Sequence, residues 1–178
     1  MIVGFGHKAR VGKDSAADYL VRAYGYTKKS FAYPLKEGIG KGVFGLTDEQ
    51  MDTGKEVIDP YWNMTPRQIL QLAGTEGGRN IFGDTLWIKA LYRDISQDLT
   101  KNYVITDVRY RNEAEAIQSW GGKVIRIDRD IIGTTAKHIS EIDLADWHGW
   151  DGYIRNDASF DILYCQVKQT CFPQLEKS

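Results

Sequence analysis

A chain of 178 residues with a formal net charge of −1 and a pI near 6.3 offers no overall positive field to nucleic acid or to an anionic membrane. At 42% hydrophobic and 26% charged, it has the make-up of one soluble globular domain that buries roughly 70% of its unfolded surface. Its longest apolar runs are too short for a signal-peptide core or a membrane span.

Residues 2–5 (IVGF) read as a short strand buried on both faces. A loop, Gly6-His7-Lys8-Ala9-Arg10-Val11-Gly12-Lys13-Asp14-Ser15, leads into a helix with Ala16, Ala17, Leu20 and Val21 on one face and Gly25 as its stop. A second strand is expected over 26–31. Helical periodicity resumes at Pro34 but is weakened by glycines at 38, 40, 42 and 45. Thr47 and Gln50 have the spacing of a capping box. Thr65-Pro66 opens another helix with a cap residue and a first-turn proline. A further helix is expected over 84–99.

The second half alternates in the same way. Residues 101–107 (KNYVITD) form a strand ending in an aspartate, 111–120 a helix stopped by two glycines, and 123–129 (KVIRIDR) another strand. A polar stretch at 130–150, a strand at 153–156 and a helix at 160–172 complete the chain. The two cysteines, Cys165 and Cys171, form no metal or disulfide pattern and suit a reduced, cytoplasmic setting. Strands alternating with helices predict an α/β fold with a parallel sheet covered on both faces, its ligand beyond the carboxyl ends of the strands. Residues 6–15, 107–113 and 129 onward all fall at that edge.

The opening loop has the form of a phosphate-binding loop between a strand and a helix, G-x-x-x-x-G-K-[ST]. Inward-turned amides, a lysine and the positive end of a helix suit an anion there. Two substitutions mark it: His7 stands in the slot of the leading glycine, and Asp14 follows the lysine, with Ser15 one step later. His7 must tolerate a backbone that glycine adopts more easily. Three cations, Lys8, Arg10 and Lys13, gather where the helix dipole would otherwise disfavour them.

Other residues carry two readings each. Asp107 and Arg109 suit an acceptor phosphate or magnesium-bound water, or else a mutual surface pair. Asn112 and Glu113 suit substrate contact or a helix cap equally. Arg67, Gln71 and Thr75 recur every four residues as a polar stripe, and Gly74, Gly77 and Gly78 would leave Arg79 on a loop. Trp62 and Trp87 suit stacking on a base or the core. Asn156 and Asp157 suit an adenine edge or a simple turn.

Taken in order, HKARVGKDSAADYL (7–20), FAYPLK (31–36), RQILQLAGTEGGR (67–79) with Trp87, ITDVRYRNEAEAI (105–117), VIRIDR (124–129), HISE (138–141) and IRND (154–157) resemble bacteriophage deoxynucleoside monophosphate kinases. The departures are His7 and Ala158, where glycine is usual. The resemblance implies a P-loop kinase fold and transfer of phosphate from ATP to deoxynucleoside monophosphates with Mg²⁺. It implies one domain, 1–178, with an acceptor region over about 34–98 and a lid over about 130–150 that includes Lys137 and His138. ATP would lie on Lys8, Ala9, Arg10, Val11, Gly12, Lys13, Asp14, Ser15 and Asn156. The acceptor would lie on Lys36, Arg67, Gln71, Thr75, Arg79, Trp87, Arg109, Asn112 and Glu113. Lys13, Arg10, Asp107, Arg109 and Arg129 would serve the chemistry, with Asp14 or Ser15, and Asp107 through a water, near the metal. The resemblance further implies that two copies can pair and that the setting is a host cytoplasm. The other readings are a P-loop kinase of a different small acceptor, such as a dephospho-coenzyme, and a non-catalytic ATP sensor. Nucleic-acid binding fits least.

Overall fold

The computed structural model of the chain describes residues 1–130 and 143–176. These residues form two compact units, one from Met1–Ser30 with Gln97–Ser178 and one from Phe31–Ser96.

The first unit is built on five strands: β1 (Ile2–Gly6), β2 (Thr27–Lys29), β3 (Tyr103–Val108), β4 (Lys123–Asp128) and β5 (Gly152–Arg155). All pairings are parallel, in the order β2-β3-β1-β4-β5. Central β1 is buried along its whole length, as its unbroken apolar run requires for a strand covered on both faces. Helix α1 (Lys13–Tyr24) buries Ala16, Ala17 and Leu20. They pack with Val3, Phe5, Ile125, Ile127, Leu163 and Val167. Gly25 ends α1 in the left-handed region, φ 68°, its N–H returning to the Val21 carbonyl while the Tyr26 N–H returns to that of Leu20. Helices Arg111–Ser119 and Phe160–Cys171 complete the covering layers. Buried Cys171 has its thiol pushed up to about 12 by desolvation, whereas Cys165 is exposed.

The register positions the site. Gly4 pairs with Ile105 but Gly6 pairs with Val108, so a bulge in β3 sets Thr106 and Asp107 beside Phe5. On the other flank Gly6 pairs with Arg126, and Asp128 lies two residues further along β4.

The second unit is helical. Thr47 and Thr65 both form complete capping boxes, with Gln50 and Gln68, and Pro66 opens its helix. Leu46, Met51 and Ile69 form a small core with Phe44, Trp62, Met64 and Leu70. Two stretches, Leu35–Lys41 and Leu72–Arg79, are wide helical turns. In the first, Gly42 and Phe44 donate five residues back, to Glu37 and Ile39. Glycine-rich sequence weakens the ordinary four-residue ladder enough for this form to compete. Helix Leu86–Ile95 is shorter than the expected 84–99, and Asp98 accepts from the Thr100 N–H in the turn beyond it. Among the described residues no helix is long and apolar enough to cross a membrane. Residues 137–141, including Lys137 and His138, lie outside the described residues, as does most of the expected lid.

Candidate active site

Strand β1 delivers the chain into a loop that passes three times through the left-handed region, at His7 (φ 87°), Arg10 (φ 61°) and Gly12 (φ 99°). For a residue with a side chain such a conformation costs about 1–2 kcal/mol, so something must hold His7 and Arg10 there. At His7 the restraint is visible. Its ring is buried, and Nδ1 lies 2.6 Å from Asp128 Oδ1. The other carboxylate oxygen of Asp128 accepts from Arg126 Nε at 2.7 Å. Trp150 meets the imidazole edge-on, with centroids 6.4 Å apart. Gly6 has no freedom to change, because a Cβ there would stand 2.8 Å from the Trp150 ring.

Burial lowers the His7 pKa, and the Arg126 charge lowers it further; Asp128 pulls the other way, and Lys8 adds to the lowering. The ring is therefore neutral near pH 7, and the carboxylate fixes its tautomer with the proton on Nδ1.

Lys13 is buried at the start of α1, and its ammonium donates to the backbone carbonyls of His7, at 3.2 Å, and Lys8. The lysine thus closes the loop on itself. Gly12, the N-cap of α1, offers no side-chain cap, so the first amides of the helix depend on partners outside it. Asn156, buried beyond β5, donates from Nδ2 to Val11 O at 2.9 Å and stands where a Cβ on residue 12 would go. Backbone amides, a lysine and a helix N-terminus in one loop are the groups from which anion-binding loops are built.

The remaining expected residues of this unit lie around the same sheet edge. Lys8, Ala9 and Arg10 are exposed and Val11 is buried. Asp14 bonds Lys28 at 2.9 Å, and Lys28 also holds Asp18 at 3.0 Å. Burial depresses the Lys28 pKa, but hydrogen bonds to both aspartates carry it above its ordinary value. Ser15 is half-buried and lines a shallow groove with Asp18, Arg22, Phe160 and Tyr164. Asp107 is half-buried one residue before the end of β3. Arg109 and Arg129 are exposed just beyond β3 and β4.

Three of the expected residues hold defined local positions. Glu113 is buried and accepts from the backbone N–H groups of Arg109, at 2.9 Å, and Tyr110, at 3.2 Å, so its carboxylate serves the helix start. Asn112 does not occupy the cap: the helix begins at Arg111 with Tyr110 before it, which puts Asn112 inside the first turn. Asn156 spends one donor on the loop carbonyl, which makes it a clamp on the loop from the far end of the chain.

In the second unit, Arg67 pairs with Glu56 at 2.6 Å on the surface, a contact worth only ~0–1 kcal/mol. Gln71 and Lys36 are exposed and Thr75 is half-buried. The expectation that Arg79 lies on a loop is corrected: the glycines widen the helix without ending it, and Arg79 closes its last turn, buried, with Nη1 3.3 Å from Asp84 O. Trp87 is 9% exposed and gives its indole N–H to Gly74 O at 2.9 Å. Trp62 likewise donates to Phe44 O and packs in the small core.

Sequence reasoning missed Asp128, Trp150 and Arg111. Arg111 donates from its backbone N–H to Asp143 Oδ2 at 2.7 Å and from Nε to Asp143 O at 2.9 Å, and it also engages Asp146, holding the far side of the segment after residue 142. The one available signal was His7 itself: a histidine in a glycine slot requires an anchor, and the aspartate of VIRIDR was the charged group to test.

The family model described as deoxynucleotide monophosphate kinase matches residues 44–167. A protein of Acanthamoeba polyphaga mimivirus, provisionally named deoxynucleotide monophosphate kinase, is 37% identical over 176 residues, covering 88% of each chain. The deoxynucleotide monophosphate kinases of Escherichia phage RB69 and Enterobacteria phage T4 are 32% and 27% identical, over 63% and 80% of this chain. The chain spans 46% and 64% of those two phage proteins. Among solved structures, shikimate kinase from Aquifex aeolicus (TM-score 0.54, all of both chains) and a sugar kinase from Janibacter sp. (TM-score 0.51, 98% and 96%) are each 12% identical. These two likenesses concern the fold, that of the P-loop kinases, which the parallel sheet and loop-to-helix entry share. With its family model covering most of the chain and a relative aligned along nearly all of it, the protein belongs to the deoxynucleotide monophosphate kinase family.

Proposed function

We propose that this chain transfers the γ-phosphoryl group of ATP to deoxynucleoside monophosphates, giving diphosphates for viral DNA synthesis, with residues 8–15 as the grip on the donor. The observation that carries the reading is the loop itself: three left-handed turns ahead of α1, with the ammonium of Lys13 drawn onto the His7 and Lys8 carbonyls. Membership of a kinase family sets aside the sensor reading.

Phosphoryl transfer asks little covalent chemistry of a protein. It asks for alignment and for neutralisation of charge spreading over the transferred group. Lys13 and the loop amides meet the outer phosphates, and Arg10 and Arg129, both exposed near the edge of the sheet, are cations able to fold onto them. Asn156 holds the loop in shape, and the nucleotide's base lies near it. Asp107 orients the attacking phosphate oxygen and Arg109 grips the acceptor phosphate. Lys36, Arg67, Gln71, Thr75 and Arg79 supply the acceptor side, with Arg79 the principal phosphate ligand, Trp87 behind them, and Asn112 and Glu113 ordering the turn that carries Arg109.

Magnesium suits this donor set. It takes one or two protein oxygens when phosphates and waters supply the rest, and Asp14 or Ser15, with Asp107 through a water, are oxygens of that kind. Asp14 would exchange Lys28 for the ion. The bound ion neutralises charge on the phosphates. A reduced host cytoplasm fits the thiols, and pairing of two copies is part of the same reading. The test is a panel of ribo- and deoxynucleoside monophosphates, each incubated with ATP and Mg²⁺ and assayed for diphosphate. Conversion of deoxy substrates supports the reading; conversion of none refutes it.

A further inference from the structure

Position 7 poses a physical contradiction. Its backbone lies in the left-handed region, φ 87°, where glycine would be free of strain and a ring-bearing residue is not. Yet the imidazole there is more thoroughly fixed than anything a glycine could offer. Its side chain is 3% exposed, its Nδ1–H donates to Asp128 at 2.6 Å, and Asp128 is held from its other oxygen by Arg126 at 2.7 Å. Trp150 closes off the remaining side edge-on. The same residue, through its main chain, accepts the ammonium of Lys13 at 3.2 Å. One residue therefore ties the end of β4, by its ring, to the loop lysine, by its carbonyl.

We propose that His7 is a positioning residue for the donor nucleotide: the Arg126–Asp128–His7 chain fixes the His7 carbonyl, and that carbonyl fixes where the Lys13 ammonium stands. This rests on the reading of the loop as the donor grip. A glycine at 7 would remove strain but also release the carbonyl, so the lysine and the loop amides would lose their common frame. The charged groups facing the ring are Asp128 and Arg126 on β4 and Lys8 in the loop, and Lys13 faces its carbonyl. Histidine serves as a strut here, with a hydrogen bond replacing conformational freedom as the means of holding a tight turn.

The strain and the strut make opposite forecasts for His7→Gly, which is what makes the idea testable. Measured by calorimetry, MgATP affinity should fall on the order of tenfold to a hundredfold, the scale on which small misplacements act. The KM for the monophosphate should stay near wild type. His7→Asn should recover most of the affinity, because asparagine tolerates positive φ and its amide can donate to Asp128. Asp128→Asn should lose affinity alone and add little in the His7→Gly background. If His7→Gly folds poorly, His7→Asn and Asp128→Asn carry the test. MgATP binding by His7→Gly equal to or tighter than wild type would overturn the proposal, as would additive losses in the double variant. Because the readout is ATP binding, it is independent of the acceptor: a wild type that binds MgATP but converts no deoxynucleoside monophosphate would sink the kinase reading and leave this one standing.

Discussion

Asn156 and Gly12 occupy complementary space: the amide that donates to Val11 O stands where any Cβ on residue 12 would have to go. Gly12 also has φ 99°, so glycine is required there twice over. Gly12→Ala should abolish ATP binding, because the methyl group displaces the clamp that shapes the loop. Asn156→Ala should leave a buried carbonyl without its donor, costing roughly 1–3 kcal/mol of stability and weakening ATP binding. Thermal denaturation together with calorimetry separates the two effects. Unchanged ATP affinity in Asn156→Ala would show that the clamp is dispensable.

Lys13→Ala should cut turnover by orders of magnitude, as expected when a cation meeting the transferring charge is lost. Its ammonium also holds the loop carbonyls of His7 and Lys8. Lys13→Arg should therefore fail as well, since a planar fork does not reproduce a point donor. A coupled ATP assay at saturating substrates reads both.

Arg79→Ala should chiefly raise the KM for the monophosphate and leave that for ATP nearly unchanged. Arg79 is buried and bonded to Asp84 O, so a fall in melting temperature should accompany the change. Arg79→Lys, which keeps the charge, should restore stability more than KM. The reverse kinetic pattern, with ATP affected and the monophosphate not, would remove Arg79 from the acceptor role.

On the proposed role of its carboxylate in orienting the acceptor oxygen, Asp107→Asn should lower kcat more than it weakens ATP binding. Equal losses in the two measurements would reduce Asp107 to a structural group.

The local signals were legible because they act over a few residues. Gly25 ending α1, the Thr47 and Thr65 capping boxes, and apolar strands reading as parallel all follow from short-range chemistry. What was illegible depended on the order of strands. His7 and Asp128 are 121 residues apart and meet because β4 lies beside β1; Asn156 reaches Val11 across 145 residues. Arg79 was misread for a different reason. Three glycines suggested a helix end, but a helix can widen as well as stop.

His7 also makes a forecast for pH. Its folded-state pKa is lowered from 6.5, so the unfolded chain binds the proton more readily. The stability contributed by the neutral ring is complete above that value and is lost as the pH falls from 6.5 through the lowered folded-state pKa. Melting temperatures measured across this window should drop more steeply for wild type than for His7→Asn. Parallel slopes would mean that the ring is not held neutral.

The most direct test of the donor grip is transfer of label from γ-labelled ATP to deoxynucleoside monophosphates by wild type and Lys13→Ala, with the fold of both verified by circular dichroism. The account predicts labelled diphosphate with at least one deoxy substrate for wild type and next to none for the variant. Equal labelling by the two proteins would contradict it.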